Sequence, residues 1–229
     1  MVELRRYTLR PGRREELIGL FDAEFVETQE AVGMAVLGRF RDLDDADRFV
    51  WLRGFADMEV RRRGLEAFYG GPVWAEHGPA ANDTMVDSDD VLLLRLVGGG
   101  LVVDSSERAG VGAPAPGGFV AVTVWSFPVG EGEGPRLVRD RLVPVLAETG
   151  PCPWAVLVSE DAPNTFPRLP VRTGENVAAV VVSYADGDAH RRHWDAVGAH
   201  PAARGVLEKV RAAPVETYRL APTGRSLLH

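Results

Sequence analysis

The 229-residue chain holds a single cysteine, Cys152, and a single lysine, Lys209. One cysteine excludes an internal disulfide framework and a cysteine-based metal cluster. No apolar run approaches the roughly 20 residues that a membrane helix needs. The opening "MVELRRYTL" reads as a strand and not as the apolar stretch of a signal peptide. A formal charge of −7 gives no net attraction to nucleic acid or to an anionic membrane, and no basic patch is interleaved with aromatic residues. The phosphate-binding patterns GxGxxG and GxxxxGK[ST] are absent, as are GxSxG and HExxH. The expectation is a reduced, soluble, cytoplasmic protein with neither nucleic acid nor membrane as partner. Lysine scarcity beside abundant arginine points to a GC-rich, bacterial genome.

What is present has the balance of a soluble globular chain, 45% hydrophobic and 26% charged. Periodicity reads as β-α-β-β-α-β, twice over. Val2 to Arg10 is a strand stopped by "PG", and Arg13 to Glu30 a helix with Leu17, Leu20, Phe21, Phe25 and Thr28 on one face. "GMAVLGRF" and "DRFVWLRGF" are strands joined by an acidic turn. Asp57 then caps a helix running to about Tyr69, ended by Gly70, Gly71 and Pro72. "VLLLRLV", Val91 to Val97, closes the half. Residues 98–118, rich in Gly, Ala, Ser and Pro, read as a linker between units at 1–97 and 119–229. In the second unit "FVAVTVWSF", "PWAVLVSE", "NVAAVVVSY" and "VETYRLA" are strands. Pro135 to Glu148 is a helix, and Asp186 opens a helical region that Pro201 interrupts.

The halves repeat each other. Phe55 to Phe68, "FADMEVRRRGLEAF", aligns without a gap on Tyr184 to Val197, "YADGDAHRRHWDAV". Asp57, Arg62 and Arg63 recur as Asp186, Arg191 and Arg192, and Pro72 recurs as Pro201. A tandem duplication is expected. It disarms the segment "DAHRRHWD", whose His190 and His193 have a spacing that metal ligands can use. Their counterparts are Arg61 and Gly64, and no third ligand is evident. Both histidines are expected on an exposed or partly packed helix face, with no metal.

"ELRRYTLRPG", Gln29-Glu30 before "GMAVLGRF", "VWLRGFADMEVRRR" and "FYGGPVW" resemble a NIPSNAP family domain over about Val2 to Val97. The second half resembles the family's partner repeat, including "APNTFPRLPVRTGENV". The resemblance implies an α+β fold in which ferredoxin-like (βαββαβ) units pack sheet to sheet as a dimeric α/β-barrel, here inside one chain. A homodimer of the tandem unit stays open as an assembly. Proteins of this architecture include cofactor-independent monooxygenases, haem-degrading enzymes, isomerases and dehydratases, an analogy of fold that selects no reaction.

In such a unit the cleft between sheet and helices is the natural place for a small molecule. Alternation puts Glu3, Arg5 and Tyr7 on one face of the first strand, and Trp51 and Arg53 on one face of the third. Charged groups on a covered strand are costly unless paired, so they suggest a polar cavity. Asp57 and Arg61, one helical turn apart, read as a helix-surface pair. Trp74 and His77 follow that helix, and His77 is the acid/base candidate because its ordinary pKa lies near neutrality. The long loop "EDAPNTFPRLPVRTGEN" offers Phe166 to cover an apolar group and Arg168 and Arg172 to bind an anionic one, as a lid or as a brace. On the best strand registers Glu3, Arg5 and Tyr7 correspond to Val120, Val122 and Val124, and Trp51 and Arg53 to Val180 and Val182. A polar cavity is expected under the Asp57 helix and a filled core under the Asp186 helix.

Two functions fit. One is a cofactor-independent enzyme of monooxygenase or isomerase type, acting on an apolar or aromatic carbonyl or carboxylate compound. Arg5 and Arg53 would stabilise negative charge and Tyr7 or His77 would handle a proton, with Glu3, Trp51, Trp74, Phe166, Arg168 and Arg172 lining the site. The other is a non-catalytic ligand-binding or interaction scaffold. Haem held near His77 is a third reading.

Overall fold

Hydrogen-bond pairing closes the sheet on itself. The computed structural model describes residues 1–101 and 104–229; residues 102 and 103 of the expected linker lie outside them. The strands are β1 (Val2–Leu9), β2 (Ala35–Asp42), β3 (Arg48–Gly54), β4 (Met85–Gly98), β5 (Phe119–Ser126), β6 (Ala155–Ser159), β7 (Val177–Tyr184) and β8 (Val215–Pro222). They form a closed barrel in the order β1-β3-β2-β8-β5-β7-β6-β4. Each half uses one order, β4-β1-β3-β2 and β8-β5-β7-β6. The halves join through β4 with β6 and β2 with β8. The two sheets therefore meet edge to edge, which removes strand edges that would otherwise invite pairing.

Alternate residues of each strand point inward, where Val2, Leu4, Val50, Leu52, Leu92, Val122, Ala179 and Val181 share one apolar core. The barrel is filled. Its outer face is covered by helices, and there each half builds its own core.

In the first half α1 (Arg14–Leu20), a π-helical turn (Phe21–Phe25) and α2 (Val26–Glu30) follow one another directly. The buried positions step by four, Leu17, Phe21, Phe25 and Gln29. Four-residue steps drift around an α-helix of 3.6 residues per turn, and the wider π turn takes back part of that drift. Gln29 thus faces the sheet where the periodicity had put Thr28. Next come α3 (Met58–Tyr69) and α4 (Pro72–Thr84). The second half repeats the plan with α5 (Glu133–Leu137), a π turn (Val138–Leu142) and α6 (Val143–Thr149). It continues with α7 (Gly187–Ala199) and, after a short turn at Pro201–Ala203, α8 (Arg204–Arg211).

Two expectations change. Gly70, Gly71 and Pro72 do end α3, but Pro72 also starts α4, because proline lacks only an N–H that the first helical turn leaves free. Trp74 and His77 therefore sit on a helix. The register between the halves also shifts. Glu3 pairs with Arg53 in β1–β3, and Ala121 pairs with Val182 in β5–β7. The counterparts of Glu3, Arg5 and Tyr7 are thus Ala121, Thr123 and Trp125, while Val120, Val122 and Val124 point into the barrel. Val180 and Val182 keep their assignment, facing the helices.

Asp57 acts as the expected cap, and Asp186, which opens the matching helix, is a cap as well. Asp57 Oδ1 accepts the Val60 N–H and Asp186 Oδ1 the Ala189 N–H, each at 2.7 Å. Asp57→Ala and Asp186→Ala should each cost about 1 kcal/mol in urea unfolding. Because the caps sit in separate halves, the double variant should lose the sum.

Candidate functional site

The helix-facing side of β1 and β3 carries the charge. Their pairing sets Arg53 opposite Glu3 and Trp51 opposite Arg5. Glu3 gathers three guanidiniums. Its Oε2 accepts from Arg5 Nη1 at 3.0 Å and from Arg53 Nη2 at 2.6 Å, and its Oε1 from Arg61 Nε at 2.7 Å. All four side chains are fully buried. Arg61 reaches in from α3, so it pairs with Glu3 and not with Asp57, which is occupied as the cap. Gln29, on α2, accepts from Arg53 Nη1 at 2.9 Å, and Tyr7 Oη accepts from Arg5 Nε at 2.9 Å. The Trp51 ring lies 5.6 Å from the Arg5 guanidinium and 4.9 Å from that of Arg53.

Three guanidiniums against one carboxylate leave a net charge of plus two in a buried place. Arg5 Nη2, Arg61 Nη2 and Trp51 Nε1 are buried with no hydrogen-bond partner among the described residues. Such donors cost free energy when unmet. Burial alone would raise the Glu3 pKa, but Arg53, Arg5 and Arg61 outweigh it and lower it from 4.5 to about 2. Burial pulls Arg61 down. It also raises Tyr7, which stays a neutral phenol.

Next to the cluster lies a cavity of about 30 Å³ whose wall includes Tyr7, Gln29, Trp51, Tyr69 and Trp74. That volume is about one water's share of the liquid, so in place of the polar cavity expected under α3 there is a small, mostly apolar one beside a closed ionic cluster. The roof comes from the other half. Asn164 Oδ1, in the loop between β6 and β7, accepts from Arg61 Nη1 at 2.8 Å. Phe166 is buried and stacks on Tyr69 at 5.9 Å.

Of the residues singled out from sequence, Glu3, Arg5, Tyr7, Trp51 and Arg53 come together, with Trp74 and Phe166 at the periphery. Arg168 is exposed, with its guanidinium 5.9 Å over the Phe166 ring. Arg172 lies elsewhere, bonded to Glu175 at 2.9 Å and facing Asp90 and Glu216. His77 turns to Glu24 at 3.6 Å on the surface of α4, and among the described residues no hydrogen bond ties it to the cluster. Arg61, Gln29 and Asn164 were not singled out as site residues. Only the odd placement of an arginine at the repeat position of His190 hinted at Arg61. A larger cleft of about 650 Å³ near Leu37 and Leu227 has Glu30 as its only charged side chain among the described residues, and Glu30 is paired with Arg108.

His193 is not surface decoration: it is buried, with Nδ1 bonded to Tyr184 Oη at 2.8 Å and Nε2 facing the Leu146 carbonyl at 3.0 Å. The region beside α7 is not uniformly filled either. It carries an open, mostly apolar groove of about 610 Å³.

Glu3→Gln would leave three buried guanidiniums without a counter-charge and should cost roughly 3–5 kcal/mol. Arg5→Met lowers the surplus charge and should cost distinctly less. Because the folded-state pKa of Glu3 is depressed, its contribution to stability is present above 4.5 and is lost as pH falls toward 2. Urea unfolding across that window should show a steeper acid loss for the wild type than for Glu3→Gln.

No curated protein matches the chain. Among solved structures it is similar to a candidate monooxygenase from Lactobacillus acidophilus, at 12% identity and TM-score 0.57, over 99% of this chain and 95% of that one. A candidate monooxygenase from Fusobacterium nucleatum is 10% identical at TM-score 0.56, over 100% and 96%. An anthrone oxidase-like protein is 15% identical at TM-score 0.57, over 97% and 90%. At these identities the likeness is one of fold. The NIPSNAP family model matches residues 2–98. The first half of this chain is a NIPSNAP domain.

Proposed function

We propose that the Glu3 cluster binds a small apolar or aromatic compound through an acidic oxygen, and that the protein oxidises this compound without a cofactor. The reading takes residues 1–97 and 119–229 as two units of a tandem, with the site in the first. The observation that carries it is the surplus of two buried positive charges with unmet donors on Arg5, Arg61 and Trp51. An enolate, phenolate or carboxylate supplies the missing charge, and in a low-dielectric site that attraction is strong.

The same geometry favours oxygenation over isomerisation. An isomerase needs a base that takes up and returns a proton. Glu3 is a poor one, because its pKa is low and both oxygens are engaged, and His77 is outside the cluster. A compound that is itself acidic needs no such base. A CH₂ group flanked by carbonyl or aryl groups can lose its proton to water while Arg5 and Arg61 stabilise the anion. Dioxygen then takes the electrons; one of its oxygen atoms remains as a new carbonyl and the other leaves as water. Tyr7, a neutral phenol, is placed to donate a hydrogen bond to the developing oxygen. Seating such a compound requires more room than about 30 Å³, so Phe166 and Asn164 lift as a lid.

A thermal-shift screen should therefore show stabilisation by enolisable ketones, phenols and aromatic carboxylates, and not by matched neutral compounds. Arg5→Met should weaken binding by about 10- to 100-fold, the value of a charged hydrogen bond, and Phe166→Ala should speed association. Oxygen uptake with an anthrone tests the reaction. Equal stabilisation by neutral analogues would remove the charge argument, and binding without oxygen uptake would leave a ligand-binding role.

A further inference from the structure

We propose that Asn164 and Phe166 sit in the ligand's own places, so that the β6–β7 loop competes with the ligand and the face of Tyr69 is the seat of the ligand's aromatic ring. The inference rests on the reading of the Glu3 cluster as an anion site. It adds where the aromatic part lies and what regulates access.

The loop imitates the compound that the cluster would bind. Asn164 Oδ1 accepts from Arg61 Nη1 at 2.8 Å, and among the described residues it is the only acceptor on the cluster that comes from the other half. Two residues on, the Phe166 ring stacks on Tyr69, with planes 21° from parallel. Asn164 Oδ1 also accepts the Phe166 N–H at 3.0 Å, which fixes oxygen and ring relative to each other. One short segment thus sets an acceptor oxygen against a guanidinium and a planar ring against a phenol. Tyr69 meets Phe68 and Trp74 edge-on, at 80° and 75°, so the face that Phe166 covers is the one left for stacking. The loop's oxygen is neutral. A carboxylate or phenolate oxygen bonds a guanidinium roughly twice as strongly, which gives an aromatic anion the advantage.

The hold on the loop is light. Its ends are tied to β4, where the Glu160 N–H donates to the Leu93 carbonyl and the Arg172 N–H to the Val91 carbonyl, each at 2.9 Å. Between those ties, residues 161–171 make no backbone–backbone hydrogen bond to the rest of the chain among the described residues. Side chains dock them instead. These are the Arg61 bond, a bond from Thr165 Oγ1 to the Met58 carbonyl at 3.1 Å, and the packing of Phe166 and Leu169 on the first-half core. Pro163, Pro167 and Pro170 stiffen the segment, so it can swing as one piece on its two ties. Asn164 and Tyr69 are both half-buried. Lifting the piece therefore bares Arg61 Nη1 and the Tyr69 face to solvent.

The test titrates 3-phenylpropionate and 3-cyclohexylpropionate, alike in charge and length, into the full chain by calorimetry. The wild type should prefer the phenyl compound roughly two- to tenfold, the worth of an aromatic pair, and Tyr69→Leu should bring that ratio to one. Loop opening does not enter the ratio, since it scales both affinities alike. Asn164→Ala and Phe166→Ala should each tighten 3-phenylpropionate by at least about threefold, because a competitor is weakened. Asn164→Ala, at a half-buried position, keeps this test in place if Phe166→Ala loses its fold. In the wild type the probe should speed tryptic cleavage after the exposed Arg168. Arg5→Met separates the two readings. If it weakens the probe while the loop variants weaken it too or leave it unchanged, the anion site stands and the competition falls. Protection of Arg168 by the probe, or a phenyl preference that survives Tyr69→Leu, would also overturn the inference. If Arg5→Met binds as the wild type does, or no variant binds the probe, the anion site falls and the inference with it.

Discussion

One carboxylate organises the first half. Glu3 sits on β1, and the groups that neutralise it come from β1, β3 and α3, so a single buried charge ties sheet to helix. Gln29 extends the network to α2 and Asn164 extends it to the other half of the chain. A carboxylate in a dry interior is tolerable only when its oxygens are fully engaged, and here both are. The three guanidiniums around it are not tolerated equally well, because one negative charge cannot balance them. The cluster is thus stable in its parts and unbalanced as a whole, and the proposed anion binding rests on that imbalance.

The two halves share a scaffold and differ on one face of it. Inside the barrel both contribute the same kind of side chain, and the alternation of valine and leucine fills it from both sides. Outside, the counterparts of Glu3, Arg5, Tyr7 and Arg53 are Ala121, Thr123, Trp125 and Val182. The second core therefore needs no internal ion pairs where the first depends on them. The loop asymmetry compounds the difference. The second half lends its β6–β7 loop as a roof, while the short β2–β3 turn gives no equivalent roof in return.

Much of this was legible in the chain itself. Asp57 was readable as a cap, and Asp186 as a helix start, because the residue type and the periodicity after each agree. The charged face of β1 was readable because apolar Val2 and Leu4 flank Glu3 and set the phase that puts Glu3, Arg5 and Tyr7 on the other face. β5 was a different case. In "FVAVTVW" both faces are apolar apart from one threonine, so periodicity offers no phase, and a slip of one residue exchanges every side chain between barrel and helix. Its ladders with β7 and β8 set it. The start of α4 was hidden because glycine, glycine and proline announce a stop and a start in the same letters. For His193 the sequence indicates only an exposed or partly packed helix face, because nothing local marks the position as buried. Its burial depends on Tyr184 and the Leu146 carbonyl, on elements that sequence does not place beside it.

By itself the sequence determined the strands, most of the helices and the half in which charge would gather, since these follow from local alternation, capping and composition. Tertiary structure decided which charges meet. Arg61 has Asp57 one turn away and bonds Glu3 instead, and His77 has the right chemistry in the wrong place. Arg172 and Asn164 lie in one loop, yet only Asn164 reaches the cluster. The reason is physical. Hydrogen bonding acts over about 3 Å, and which groups come that close is set by barrel closure and strand register between residues far apart in the chain.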